Sequence, residues 1–304
     1  MCPAGKPSRL VVNRLSAGIG GGGEAGDVAV KALVLCAGRG TRLRPLTHTR
    51  SKAALPVAGR PVLAHILSYL KRFGFDDIGV VISPGQSELK RLAVAEEGQR
   101  VTFIRQQKPL GIAHGVQMAA EFLGDEPFLL YLGDNLTDDD LGPALERFHR
   151  EQPAAVLSLR SVPNPQAFGV AEVEGDRVVR VVEKPQAPQS NLAIAGIYLF
   201  QPVVHQAIAV LSPSARGELE ITDAIAELLR RGETVMAHRI TGYWQDMGTP
   251  EGLLAANSML LDKIQTDIDA GVLLDSVQIQ GRVVIERGVV LDRVRLRGPL
   301  WIGA

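Results

Sequence analysis

Apolar residues first gather at 31 to 38, "KALVLCAG", an unbroken run of the kind carried by a strand covered on both faces. The pattern then changes period. In "RPVLAHILSYLKRFGF" (60 to 75), Val62, Leu63, Ile66, Leu67, Leu70 and Phe73 recur at helical spacing, with Pro61 at the start and Gly74 at the stop. Further strands are predicted at 77 to 84, 100 to 106 and 127 to 135, and helices at 86 to 97, 112 to 123 and 139 to 149. Such alternation predicts an α/β fold whose sheet is mainly parallel and carries helices on both faces.

Beyond residue 150 the rhythm shifts. "PAAVLSLRSV", "FGVAEVEGDRVVRVVEKP" and "NLAIAGIYLF" read as strands joined by short turns, so an antiparallel addition is expected and the sheet becomes mixed. Helices return at 202 to 211, 219 to 231 and 250 to 263, placing a core domain at 31 to 264. From 265 to 304 a third period takes over. Val277, Val283 and Val289 lie six apart, as do Ile279, Ile285 and Leu291; after a five-residue step, Val294 to Leu300 and Leu296 to Ile302 resume it. Hexad spacing is the mark of stacked β-helix coils, each burying one apolar position per side, with two or three ordinary strands as the alternative; an uncapped coil end is expected to seek a partner surface in a homo-oligomer, unless the pattern is cut short there. Residues 1 to 30 hold Lys6, Arg9, Arg14 and the run Gly20 to Gly23, without a signal-length apolar segment, and are expected to form a disordered leader.

Charge narrows the partners. Lysine and arginine number 33 and aspartate and glutamate 33, so no broad field for nucleic acid or an anionic membrane is expected, and any anion site must be local. Cys2 and Cys36, far apart and outside any CxxC spacing, support neither a disulfide framework nor a zinc site, and a cytoplasmic protein fits best. Cys36 reads as a buried, inert thiol and His114 as structural.

Four stretches could carry chemistry. "LCAGRGTRLRPLT" (35 to 47) follows the first strand. Gly38 and Gly40 remove Cβ atoms where a ligand would approach backbone amides, and Arg39, Arg42, Arg44, Arg50 and Lys52 bring charge that no acidic residue between Gly38 and Phe75 offsets. A polyphosphate is the natural guest, although the spacing completes neither the GxxxxGK[ST] nor the GxGxxG pattern. "YLGDN" places Asp134 and Asn135 at the C-terminal end of a strand, where a carboxylate either holds magnesium or caps a helix. "VVEKP" offers Glu183 and Lys184, as a phosphate ligand or a solvated pair. "GYWQDMGTPEG" offers Asp246 as a second carboxylate and Trp244 as a flat wall, or simply a buried Trp beside a helix cap.

Together with "SKAALPVAGRPVLAH", "QQKPLGIAHGV", "FGVAEV", "AGIYLF", "GELEITDAI" and "YWQDMGTPEG", these stretches closely resemble the sugar-1-phosphate nucleotidyltransferases, and among them the glucose-1-phosphate thymidylyltransferases of the longer form. The resemblance covers residue 31 to the C-terminus. It implies a Rossmann-like sheet followed by the start of a left-handed β-helix. It also implies nucleotide contacts from Leu35, Ala37, Gly38, Gly40, Thr41, Gln106, Gly111 and Asp134, and sugar-phosphate contacts from Asn135, Gly169, Glu183, Lys184, Gly196 and Trp244. Arg42, Lys52 and Lys184 would be catalytic, and Asp134 and Asp246 would hold Mg2+. Where the similar sequences carry "GG", this chain reads "CAG", which places Cys36 and Ala37 against the nucleotide.

The implied reaction joins a nucleoside triphosphate, first dTTP, to glucose-1-phosphate, giving dTDP-glucose and pyrophosphate with magnesium. UTP or GTP as donor, and a catalytically silent regulatory relative, are the alternatives.

Overall fold

The computed structural model describes residues 30–38, 40–93 and 96–303; the expected leader and Arg39 lie outside the described residues. Nine strands form the main sheet: β1 (Lys31–Leu35), β2 (Asp77–Ile82), β3 (Arg100–Arg105), β4 (Phe128–Leu132), β5 (Ala155–Ser161), β6 (Gly169–Glu174), β7 (Arg177–Glu183), β8 (Leu192–Phe200) and β9 (Val235–Arg239). Their spatial order is β3-β2-β1-β4-β8-β5-β9-β7-β6. Parallel pairing holds from β3 to β4 and again between β5 and β9. β8 enters between β4 and β5 antiparallel to both, and β7 pairs antiparallel with β6 and β9. The sheet is therefore mixed, with parallel pairing confined to these two parts rather than prevailing. The returning strand "LAIAGIYLF" fills the central slot because it is apolar along its whole length and buried from Ala193 to Phe200.

Period-two alternation divides the strand residues between two cores. Ala32, Val34, Ile78, Val80, Leu129 and Tyr131 face α1 (Val62–Arg72), whose Leu63, Ile66, Leu67 and Leu70 are fully buried. Leu33, Val81, Phe128 and Leu130 face the other way, against α2 (Ile112–Met118) and the helices Val203–Ala209 and Ile221–Arg230. Helices thus cover both faces, as the alternation requires. The expected helix at 86 to 97 shortens to Glu88–Leu92, and that at 112 to 123 breaks at Ala119 into α2 and Ala120–Leu123. The segment predicted as one strand to residue 135 ends at Leu132, and Asn135–Thr137 pairs separately with Trp244–Asp246. Pro250 opens the long helix Pro250–Lys263, and the Thr249 hydroxyl accepts the Gly252 N–H at 3.1 Å.

After residue 264 the chain forms three ladders of short parallel strands. Leu273 faces Val290, Gln278 faces Arg295 and Val283 faces Leu300, an offset of 17 residues each time. Val283, Ile285, Val289 and Leu296 are buried inside, with Val277, Leu291, Val294, Leu300 and Ile302 packed on them. The tail also leans on the main body, since the Trp301 indole occupies the space a Cβ at Gly59 would need. No helix among the described residues is long and apolar enough to cross a membrane.

Candidate active site

The C-terminal ends of β1 and β4 are neighbours, Leu35 facing Leu132, so the loops that follow them open on one edge of the sheet. Close approach fixes their composition. A Cβ at Gly133 would lie 2.6 Å from Cys36 Sγ and 2.8 Å from the Leu35 carbonyl oxygen. Gly40 takes a left-handed φ of 58°, and its carbonyl accepts the Thr47 hydroxyl at 2.7 Å, which closes the loop ahead of the turn Thr41–Leu43.

These loops line a cavity of about 800 Å³. All eight residues assigned to nucleotide binding reach it: Leu35, Ala37, Gly38, Gly40, Thr41, Gln106, Gly111 and Asp134, with Lys52 beside them. The crowded charge of the opening loop, in contrast, divides. Lys52 lines the cavity, whereas Arg44 and Arg50 are exposed outside its lining. Arg42 also lies outside the lining; its guanidinium stands beside Gly248 and Asp246, filling the space a Gly248 Cβ would take. Nor is Lys52 left unbalanced, because its Nζ lies 2.6 Å from Asp134 Oδ2, an acid that arrives 82 residues later.

Asp134 is no helix cap. It stands between β4 and the short strand Asn135–Thr137, whose pairing with Trp244–Asp246 sets Asp246 opposite Asn135. Burial, and next the Asp134 charge, push the Asp246 carboxyl above its usual range, while Lys52, the Gly248 N–H and Arg42 pull the other way. Two carboxylates that repel one another are the donor chemistry of a divalent cation site, for which the Lys52 ammonium on Asp134 is a competitor. Among the described residues no cluster of three or more His, Cys, Asp or Glu side chains could hold a metal, so an ion here would need water or a bound phosphate to complete its shell. Cys36 is a free, buried thiol pushed up to about 12 by burial and then by Asp134.

The residues assigned to the sugar phosphate gather beyond the cavity lining. Gly196, at φ 74°, lets the chain pass Asn135, for a Cβ there would sit 2.8 Å from Asn135 Nδ2. Trp244 Nε1 donates to the Ala195 carbonyl at 2.9 Å, and its ring meets Phe168 edge to face. A Cβ at Gly169 would press on Thr222 and Glu183. Glu183 Oε1 lies 3.5 Å from Lys184 Nζ and 3.0 Å from Arg216 Nη1.

Arg216 is the residue sequence reasoning missed. It is held by Glu183, Glu218 and Glu220 and lines the cavity, so it joins the two groups of residues. Its only signal was "RGELE", an arginine among acids that reads as a solvated surface loop. Asp139 was missed as well. It is 3% exposed and accepts the Thr241 and Gly242 N–H groups at 2.9 and 2.8 Å and His238 Nε2 at 2.8 Å, which anchors the segment that carries Trp244 and Asp246.

Comparison with known proteins gives a consistent picture. The nucleotidyl transferase family model matches residues 31–263. A glucose-1-phosphate thymidylyltransferase of Streptomyces griseus is 41% identical over 280 residues, which span 90% of this chain and 78% of that protein. Among solved structures, a Bacillus anthracis protein assigned as a glucose-1-phosphate thymidylyltransferase and crystallised with a sucrose superposes with a TM-score of 0.72 at 35% identity, covering 79% of this chain and 98% of that one. A UDP-glucose pyrophosphorylase from Acinetobacter baumannii follows, with a TM-score of 0.69, 26% identity and coverage of 77% and 94%.

Proposed function

Because the chain belongs to the nucleotidyl transferase family, we propose that it transfers a thymidylyl group from dTTP to glucose-1-phosphate, releasing dTDP-glucose and pyrophosphate. The observation that carries this reading is the junction at one sheet edge of Lys52, Asp134, Asp246 and Arg42 beside a glycine-lined cavity large enough for a nucleotide. The relatives named above for thymidylyl transfer support the choice of base and sugar.

Two polyanions must meet for the reaction to occur. A phosphate oxygen of the sugar phosphate attacks the α-phosphorus, the bond to the β-phosphate oxygen breaks, and pyrophosphate leaves with the electron pair. Lys52 swings from Asp134 to the triphosphate, and Arg42 meets the charge growing on the α-phosphate and the leaving group. Lys184 and Arg216, both tethered by Glu183, hold the attacking phosphate in line. Asn135 and Trp244 position the sugar, and Gly169 and Gly196 give it room. No protein base is required, since a phosphate monoester is already ionised near neutral pH.

Asp134 and Asp246 fit Mg2+, which when bound supplies positive charge to the phosphates. The removal of Lys52 from Asp134 by incoming phosphate would free that carboxylate for the ion.

The catalytic domain is taken as 31–264. The segment from 265 onward is read as the first coils of a left-handed β-helix; the 17-residue offset of its ladders is the hexad pattern with one shortened side. The exposed Leu273, Leu274 and Val290 of these coils support self-association through the tail. The unpaired thiol of Cys36 fits a cytoplasmic setting.

The test is pyrophosphate release with magnesium, glucose-1-phosphate and dTTP, UTP, GTP, ATP or CTP in turn. Release with dTTP foremost is expected; no release with any of the five refutes the reading.

A further inference from the structure

One wall of the cavity carries an amide whose orientation is fixed by its neighbours. Gln106 directly follows β3 and is 4% exposed. Its Nε2 bears two hydrogens and has two partners, the Gly111 carbonyl at 3.3 Å and His114 Nδ1 at 2.7 Å. A backbone carbonyl can only accept, so Gly111 decides which end of the amide turns toward α2. His114 Nδ1 must then accept too, which places the imidazole proton on Nε2. Burial lowers the His114 pKa and so favours that neutral form.

The consequence falls on the other end of the amide. Gln106 Oε1 accepts from no described residue, and with Nε2 turned to Gly111 and His114 it is the end left to the cavity that Gln106 lines. We propose that His114 is a positioning residue for nucleotide choice: by taking one N–H of Gln106 it holds the amide carbonyl toward the cavity, as an acceptor for a base that presents a ring N–H. The imide of thymine or uracil offers that donor. Cytosine presents a bare ring nitrogen at the same place, and two acceptors face to face leave both unsatisfied. Without His114 only the longer contact to Gly111 restrains the amide, and its N–H turns to the cavity more often than when both partners are present. This inference rests on the nucleotidyl transfer proposed above.

The experiment measures steady-state pyrophosphate release and, separately, calorimetric binding of dTTP and dCTP to the full chain carrying His114→Leu, His114→Asn, Gln106→Leu or His114→Leu with Gln106→Leu. For His114→Leu the KM for dTTP is expected to rise about tenfold and the dTTP-over-dCTP preference to fall about tenfold, the scale of one lost hydrogen bond. The KM for glucose-1-phosphate should stay within about twofold. His114→Asn, whose Oδ1 can accept, should recover most of the preference. His114→Leu should add nothing in the Gln106→Leu background, because it acts through that side chain. An unchanged preference in His114→Leu, an equal loss toward both nucleotides and the sugar phosphate, or full additivity with Gln106→Leu overturns the proposal. Should His114→Leu fail to melt cooperatively, His114→Phe, an aromatic ring with no acceptor, replaces it under the same expectations. Binding needs no turnover: a wild type that releases no pyrophosphate while its dTTP preference depends on His114 refutes the transfer reaction and leaves the orientation standing.

Discussion

Replacing Lys52 with methionine keeps most of the side-chain stem and removes the ammonium. Its Nζ lies 2.6 Å from Asp134 Oδ2, with side-chain exposures of 13% for Lys52 and 31% for Asp134. At roughly 3 Å and an effective dielectric of about 20, the bare attraction is about 5 kcal/mol. Desolvation of the lysine and solvent screening at the acid offset most of it, leaving a net cost of about 1–2 kcal/mol. For a domain of this size that is a fall in Tm of roughly 2–8 °C without metal. Turnover should fall by about two to three orders of magnitude, as when one preorganised contact to developing charge is lost. Magnesium should act in the opposite sense, because Asp134 no longer has an ammonium to compete with the ion and the deficit in Tm should shrink as the metal is titrated in. Scanning calorimetry across a magnesium series, paired with pyrophosphate release, reads all three effects. A variant that melts with the wild type in the absence of metal, or turns over at its rate, refutes the reasoning.

Three further outcomes test other parts of the site. Gly196→Ala forces a Cβ into a left-handed backbone and within 2.8 Å of Asn135 Nδ2; it should cost about 1–2 kcal/mol in denaturant melts and raise the KM for glucose-1-phosphate more than that for dTTP. Asp139→Ala strips the acceptor from the Thr241 and Gly242 N–H groups and from His238; a loss of about 3 kcal/mol in urea unfolding is expected, with weakened magnesium dependence because the Trp244–Asp246 strand loosens. Cys36, in a Cys2→Ser background, should react with a thiol reagent at pH 8 only after unfolding. The unfolded thiol ionises near its ordinary 9.0 and the native one only near 12. The native state therefore keeps its proton as pH climbs through that window, and stability should fall by about 1.4 kcal/mol per pH unit there, an effect absent in Cys36→Ala and absent below pH 9.

Much of the candidate site could be read along the chain, and the exceptions share a cause. Gly38, Gly40, Thr41 and Lys52 sit in one loop after one apolar strand, so local signals sufficed to assemble them. Arg216 could not be found that way. Glutamates two and four residues on make it look like a solvated pair, and only the arrival of Glu183 from β7 and of the Gly111 turn beside Leu219 brings it to the cavity. Arg42 and Lys52, equal as loop cations in the sequence, part company for the same reason. One meets Asp134 and the other stands against Gly248 beside Asp246, and both acids lie far along the chain.

By itself the sequence determined what repeats locally: the unbroken apolar run of β1, the helical stripe of α1, the capped start of the helix after Thr249 and the hexads of the tail. Each is a statement about which side of an element leaves water, and burial of that kind is written in the spacing of neighbouring residues. Tertiary structure alone decided that β8 slots antiparallel between β4 and β5, that Asp246 comes to face Asn135 beside Asp134, and that His114 Nδ1 comes within 2.7 Å of Gln106 Nε2. Those outcomes depend on which of several equally apolar strands pair and on the distance left between charges once they do, and a linear pattern, having no separation in space, holds neither.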